Sequence, residues 1–287
     1  MIYDPSEFIK FINRIKHICH NKNNVYIDMS NVKYMTPDAI TTFIAIIKDR
    51  DILSGMRVRG NTPPDQIFTD MLLEAGFFEH VKPQSPVSRE SQAGKIFEKQ
   101  SYQVESKRSR QLLERADKLI GGDWNFHWDG IQATIVECMN NTVNHASGVK
   151  EGDTKWWLSV YCDKPQGIAH FTFVDNGIGI FESLEKKGLL QKIKKYFGFK
   201  KRARVLKNLL DGKVSSSTGL KYRGRGLPNI NRIQERGALN SLKIVSNNVF
   251  ADVAQGKFEA IGESFSGTFL YWRHSTPTDY EEDKDEN

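Results

Sequence analysis

The sequence predicts an α/β protein made of two consecutive units. Three observations carry this. Helical and strand-like patterns alternate over roughly the first eighty residues. In the second half, two apolar runs, WWLSVYC and IAHFTFV, read as a hairpin that feeds a glycine turn. Between the units lies a stretch rich in Pro, Ser, Gln and charge. Alternation of strands and helices is the signature of α/β packing, and such polar stretches read as connections.

In the first unit, Phe8, Ile9, Ile12, Ile15 and Ile18 recur at helical spacing between Pro5 and Cys19. Val25 to Met29 reads as a short strand and Ser30 to Asp38 as a loop containing Thr36-Pro37. Ala39 to Asp51 is an apolar helix, Met56 to Val58 a second strand, and Phe68 to Val81 a helix broken at Gly76. The unit is expected to span 1–82 and the linker 83–110, with a strand near Ile96. The second unit spans 111–274, starting with helical spacing from Gln111 to Ile120. The last residues, 275–287, hold TDYEEDKDEN, six acids and one Lys with almost no apolar content, and read as a disordered acidic tail.

Composition narrows the class. The chain has 287 residues, 39% hydrophobic and 11% aromatic, enough for packed cores. No apolar run approaches the length of a membrane span, and the start MIYDPSEFIKF carries charge too early for a signal peptide. Cys19, Cys138 and Cys162 lie far apart with no C-x-x-C spacing, which argues against zinc and disulfides and for buried thiols in a reducing compartment. A cytoplasmic protein away from membranes is expected. The net charge is only +6, but Glu182 to Arg225 holds 14 Lys and Arg against three acids, a local net of +11.

Four short segments of the second half carry candidate chemistry. Asp129 to Ser147 forms a helix with two stripes. Ile131, Ile135, Cys138, Thr142 and Ala146 make a core face; Glu137, Asn141 and His145 make a second face at i, i+4, i+8. A carboxylate can take a proton from water or a hydroxyl, and an amide oxygen one turn on can ligate a hard cation. Alone, this pattern also fits an ordinary surface helix. The strand Ile168 to Val174 then runs into Asp175-Asn176-Gly177-Ile178-Gly179. The Asp at the strand end can accept from a purine amine, and the glycines permit close backbone approach. A Rossmann loop would need glycine where Glu182 stands, and no G-x-x-x-x-G-K-[ST] loop exists. Third, Tyr222-Arg223-Gly224-Arg225-Gly226-Leu227 enters a helix, Leu227 to Arg236, whose start offers N–H groups and two arginines to phosphate. Last, Ser266-Gly267-Thr268 lies on the final strand, where a Thr hydroxyl could reach an adenine edge.

In that order and spacing, from about Gln111 to Arg273, the four segments resemble the boxes of the histidine-kinase-like (GHKL, Bergerat-fold) ATPases. The N-box matches Glu137, Asn141 and His145, and its E-x-x-x-N-x-x-x-H form is closest in pattern to anti-sigma factor serine kinases. The glycine boxes match Asp175, Gly177 and Gly179, then Gly224, Gly226 and Leu227; the closing Gly-Thr matches Gly267 and Thr268. The resemblance implies a Bergerat-type α/β sandwich, a mixed sheet with helices on one face and a mobile lid. It implies ATP and Mg²⁺ as cofactors, with Asn141 as the magnesium ligand and Glu137 as general base. It places Asp175 and Thr268 at adenine, and Gly224, Gly226 and Leu227, beside Arg223 and Arg225, at phosphate. His145 flanks the site or simply packs.

VYIDMSNVKYMTPDAITTFIAIIKD and LLEAGFFEHV resemble the strand, loop and last helix of STAS domains. Those carry a phosphorylatable hydroxyl at the helix start; here the hydroxyl is Thr36, followed by Pro37, which also suits a helix N-cap. The lid is expected between Phe181 and Arg223, with helices near Ser183 to Tyr196 and Arg202 to Leu210, apolar anchors only at Leu189, Leu190, Phe197, Phe199 and Leu209, and a hinge at Ser215 to Gly219. Its lysines suit triphosphate, an acidic partner or a solvated face; nucleic acid fits less well, because aromatics interleave poorly with them.

The expected function is an ATP·Mg²⁺-dependent regulatory protein that phosphorylates a Ser or Thr of a protein partner, itself STAS-like or regulatory. A slow ATPase clamp and an ATP sensor without turnover stand as alternatives. A sensor histidine kinase is disfavoured, lacking a transmembrane segment and a phospho-accepting dimerisation helix. Gyrase-type clamps carry a lysine in from a following domain, and here only Lys284 follows in the tail. A homodimer is compatible with the sequence.

Overall fold

The computed structural model describes residues 1–49, 56–75, 77–79, 81–83, 104–121, 127–145, 155–197, 201–214 and 225–275. The expected strand near Ile96, the hinge at Ser215 to Gly219 and the acidic tail beyond Ser275 lie outside them. The protein is mixed α/β, with a three-stranded parallel sheet in the order Val25–Ile27, Val58–Gly60, Lys82–Pro83 and a four-stranded antiparallel one in the order Trp156–Asp163, Ile168–Asp175, Lys257–Ser275, Asn240–Asp252.

Helix α1 (Pro5–His20) starts at an N-cap, Asp4, whose carboxylate accepts from Glu7 N–H at 3.0 Å, with Pro5 in the first turn. Strand β1 (Val25–Ile27) follows, then α2 (Pro37–Ile47), β2 (Val58–Gly60), α3 (Gln66–Glu74), a single 3₁₀ turn (Phe77–Glu79) and β3 (Lys82–Pro83). The second strand therefore starts where Met56 to Val58 was expected to end. Asn61 sets its exit: its amide donates to Asp28 and Ser30, both at 2.7 Å, tying the ends of β1 and β2 together. Ile12, Ile15 and Cys19 of α1 and Ile40, Phe43, Ile44 and Ile47 of α2 close a core with Val25, Ile27 and Val58.

Helix α4 (Ser106–Ile120) begins inside the expected linker. Leu112, Leu113 and Ala116 bury against the second core, so the helix belongs to that unit. It is followed by α5 (Trp128–His145), β4 (Trp156–Asp163), β5 (Ile168–Asp175), α6 (Gly179–Lys186), α7 (Leu189–Phe197), α8 (Arg202–Leu210), α9 (Gly226–Glu235), β6 (Asn240–Asp252) and β7 (Lys257–Ser275). Every pairing in this sheet is antiparallel, which corrects the expected mixed sheet. Consecutive strands joined by short turns, at 164–167 and 253–256, need no parallel crossover.

Both faces of the sheet are buried, so β4 and β5 read as near-continuous apolar runs. Leu158, Val160, Phe171, Phe173, Leu270 and Trp272 point to the side covered by α4 to α9, where Phe171 and Trp272 stack with centroids 5.2 Å apart. Trp157, Val174, Val245, Phe265, Phe269 and Tyr271 point the other way and pack with Ile9 of α1 and Ala45 of α2. The first unit is thus docked on the sheet of the second. Helix α2 shows why: Ile40, Phe43, Ile44, Ile46 and Ile47 face one core, while Ala45 and Thr41 face the sheet, Thr41 Oγ1 lying 2.6 Å from Ser159 Oγ. A helix apolar on all sides must be covered on all sides.

The segment expected as a lid carries the expected helices. Its described residues, 181–197 and 201–214, hold three helices whose Phe181, Leu190, Ile193, Val205, Leu206 and Leu210 are buried in the main core, while Lys186, Lys187, Lys192, Lys195, Lys201, Lys207 and Lys213 are exposed. Residues 215–224 lie outside the described set.

Candidate functional site

The candidate site sits where the C-terminal end of β5 and the middle of β7 meet α5 and the start of α9. Strand pairing places Asp175 opposite Thr268 and Ser246 opposite Thr268 on the next strand, so three positions far apart in sequence share one row. Asp175 is 4% exposed. Its Oδ1 accepts from Gly177 N–H at 2.9 Å and Thr268 N–H at 3.2 Å; its Oδ2 receives Thr142 Oγ1 of α5 at 3.4 Å. Burial pushes its pKa up to about 6, and the bonds from Gly177, Thr268 and Thr142 pull against that rise. A carboxylate with two lone-pair directions on each oxygen retains acceptor capacity at Oδ2.

Gly267 makes the row possible. Its φ is +122°, and a Cβ there would lie 2.0 Å from the Asp175 carbonyl oxygen. Only glycine lets β7 cross β5 this closely. Behind the row, Ser246 donates to Gly267 C=O at 3.0 Å, accepts from Ile180 N–H at 2.8 Å, and lies 3.5 Å from Thr268 Oγ1. Asn247 grips the start of α6: its side chain accepts from Phe181 N–H at 3.0 Å and donates to Ile178 C=O at 2.9 Å, with Gly179 packed against it at φ +80°. The turn after Asp175 is therefore held by side chains of β6.

The second half of the site is carried by α5. Ile131, Ile135, Cys138 and Thr142 are buried as a stripe, and Glu137 and Asn141 stand half-buried on the adjoining face. The Cys138 thiol is held well above its ordinary range, first by burial and then by Asp175 and Glu137, whose charges both reach it. Gly226, first residue of α9, backs directly onto this face. A Cβ at Gly226 would lie 3.0 Å from Glu137 Oε2 and 3.1–3.2 Å from the Asn141 amide. Arg225, the exposed N-cap of α9, does not cap the helix with its side chain. The first N–H groups of α9 thus start beside a carboxylate and an amide, where an anion and a cation could be held together.

Of the predicted residues, the structure brings together Asp175, Gly177 and Thr268 as one group, with Gly179 at its flank, and Glu137, Asn141 and Gly226 as another, with Arg225 at the rim. Both groups hang on α5, through Thr142 and through Glu137 and Asn141. Leu227 is partly buried and packs against the core. His145 ends α5, with its side chain outside the described residues, as are Arg223 and Gly224. Sequence reasoning missed Thr142, Ser246 and Asn247. The signal for the last two was present: VSNN interrupts an otherwise apolar strand, and buried polar residues in a strand need partners.

Thr36 stands at the N-cap of α2 but makes no side-chain cap bond, and it is buried. It sits nine residues before Ala45, whose carbonyl meets Asn176 next to Asp175. Nine helical residues span about 14 Å, and α2 lies on the opposite sheet face from α5. Thr36 is therefore remote from Glu137. Cys19 and Cys138 are buried and Cys162 half-buried, all free thiols. No helix among the described residues is long and apolar enough to cross a membrane. Searched against family models and curated proteins, the chain matches none.

Proposed function

We propose that this chain is an ATP·Mg²⁺-binding regulatory protein of the GHKL, Bergerat-fold type, with a STAS-like first unit, and that it phosphorylates a Ser or Thr of a protein partner. The observation that carries the reading is the approach of Gly226 to Glu137 and Asn141, on the same helix that bonds Asp175 through Thr142. A buried carboxylate and the start of a second helix thus both adjoin one helix, which supports a reading with a base acceptor at one end and phosphate at the other.

In this reading the adenine amine donates to Asp175 Oδ2, with the Thr268 hydroxyl beside it. The triphosphate lies along α5 toward the first N–H groups of α9, where the helix dipole and Arg225 favour negative charge. Mg²⁺, when bound, neutralises and orients the phosphate oxygens. Asn141 Oδ1 would be the hard oxygen ligand that holds it. Among the described residues no three His, Cys, Asp or Glu side chains group around a metal position, so phosphate oxygens and water would complete its shell. Glu137 is a half-exposed carboxylate at the same place. It takes the proton from the partner's hydroxyl as that oxygen attacks the terminal phosphorus, and ADP leaves. With Thr36 remote, the acceptor hydroxyl belongs to another molecule.

The test is incubation of the purified chain with γ-labelled ATP, Mg²⁺ and cell extract. Label on a protein band, absent with Glu137→Gln, is expected. Label released only as free phosphate would replace the kinase with an ATPase, and no ATP binding at all would remove the site.

A further inference from the structure

The contacts between the two units are not spread evenly over the sheet. At the end that carries the candidate site, they become polar and fall on the residues flanking it. Asn176, immediately after Asp175, donates its amide to Ala45 C=O at 2.9 Å and to Asp49 Oδ2 at 3.1 Å, at the C-terminal end of α2. Ser266, two residues before Thr268, receives Lys16 Nζ of α1 at 2.8 Å, and the same ammonium lies 5.7 Å from the centre of the Phe265 ring. Next along β7, Asn13 of α1 donates to Glu263 at 3.1 Å and to Ser264 C=O at 3.2 Å. Asp49 is itself almost fully buried and its charge reaches Lys16. The turn that follows Asp175 and the stretch of β7 that leads to Thr268 are therefore each gripped from the other face by a helix of the first unit.

We propose that the first unit is an integral, nucleotide-linked part of the site, with Asn176 and Lys16 as positioning residues for Asp175 and Thr268. The inference rests on the ATP-binding reading above. Asp175 Oδ1 must stay on Gly177 N–H and Thr268 N–H for Oδ2 to face a ligand, and these donors belong to the gripped turn and the gripped stretch of β7. Releasing Asn176 frees the link between Asp175 and Gly177; releasing Lys16 frees the bulged stretch Ser266-Gly267, where the pairing shifts between Ser246 opposite Thr268 and Asn247 opposite Phe265. A two-way linkage follows. If docking of α1 and α2 favours nucleotide, nucleotide favours docking by the same factor. The acid–amide–lysine contacts thus give the first unit a means of reporting site occupancy to whatever it meets.

The test compares rim contacts with a contact of the same interface away from the rim. Thr41 pairs with Ser159 in the middle of the sheet, so Thr41→Val loosens docking without touching either gripped segment. A non-hydrolysable ATP analogue with Mg²⁺ is titrated into the full chain. Asn176→Ala is expected to weaken binding on the order of ten-fold, the effect of one lost positioning hydrogen bond, and Lys16→Met to weaken it by a smaller factor that Lys16→Arg restores. Thr41→Val should bind within about two-fold of wild type at equal or greater loss of thermal stability. In hydrogen exchange, the analogue should protect the amides of α1 and α2 in wild type and fail to do so in Asn176→Ala. Equal affinity loss in Asn176→Ala and Thr41→Val would reduce the contacts to plain packing and overturn the proposal. So would unchanged affinity in Asn176→Ala while wild type binds well. Failure of wild type itself to bind would instead overturn the underlying reading of the site, and the inference with it.

Discussion

The two ends of the candidate site are built on opposite principles. At the Asp175 end the candidate acceptor is buried and its carboxylate is partnered on both oxygens. Asp175 is 4% exposed and carries bonds from Gly177, Thr268 and Thr142, and Ser246 and Asn247 lock the turns around it. At the Glu137 end the side chains are half-exposed, Arg225 is open to solvent, and the close neighbour is a glycine backbone. The difference separates affinity from chemistry. A preorganised, desolvated acceptor selects a ligand and sets how tightly it is held. A half-solvated carboxylate beside an open helix start can take up a reacting phosphate and its counterion and still let a second substrate in. Substitutions at the two ends should therefore fail in different ways.

The largest separation is expected at Glu137. Glu137→Gln should keep nucleotide affinity within a few-fold and lose turnover by roughly 10²–10⁴, because a general base acts only in the transition state. Equal losses in affinity and turnover would erase the distinction between the ends.

Gly267→Ala should break the other end without touching the first. The added methyl meets the Asp175 carbonyl at 2.0 Å in a left-handed backbone, and the forced separation of β5 and β7 should cost about 3 kcal/mol of stability. A denaturation midpoint equal to wild type would show that the close crossing is not needed.

A subtler test uses acidity. The Asp175 pKa is raised to about 6 from an ordinary value of 3.8. A raised folded pKa means that its contribution to stability is full below the unfolded value and is lost as pH rises through 6. Asp175→Asn removes that loss. Relative to wild type, the ligand-free variant should gain about 2 kcal/mol in going from pH 4.5 to pH 7.5, the unit shift being 1.36 kcal/mol. A gain that does not depend on pH would mean that the carboxylate is better solvated than its burial indicates.

The sequence was informative where local chemistry speaks for itself. The helix from Arg202 to Leu210, the β4–β5 hairpin and the α5 stripes could be read from period and glycine placement, as could the run from Asp175 to Gly179. The docking of the two units was only half visible. ITTFIAII has no polar face, which already asks for cover on two sides, but nothing local says that the cover is another unit's sheet. How far the lid segment packs on the core was not legible, because basic residues dominate the composition of 182–225. The buried residues, Phe181, Leu190, Ile193, Val205, Leu206 and Leu210, occupy one face of each short helix and carry no charge signal. Ser246 and Asn247 stood out as polar residues within β6, but their partners were not legible, being backbone groups of β7 and of the segment after Asp175 that no spacing within β6 encodes.

The central claim is that Asp175 is the acceptor for an adenine nucleotide. Calorimetric titration of ATP with Mg²⁺ into wild type and Asp175→Ala at neutral pH tests it most directly. The account predicts clear binding to wild type and a loss of about 1.5–3 kcal/mol in the variant, the cost of one buried hydrogen bond to a charged group. Wild-type affinity retained by Asp175→Ala would contradict it.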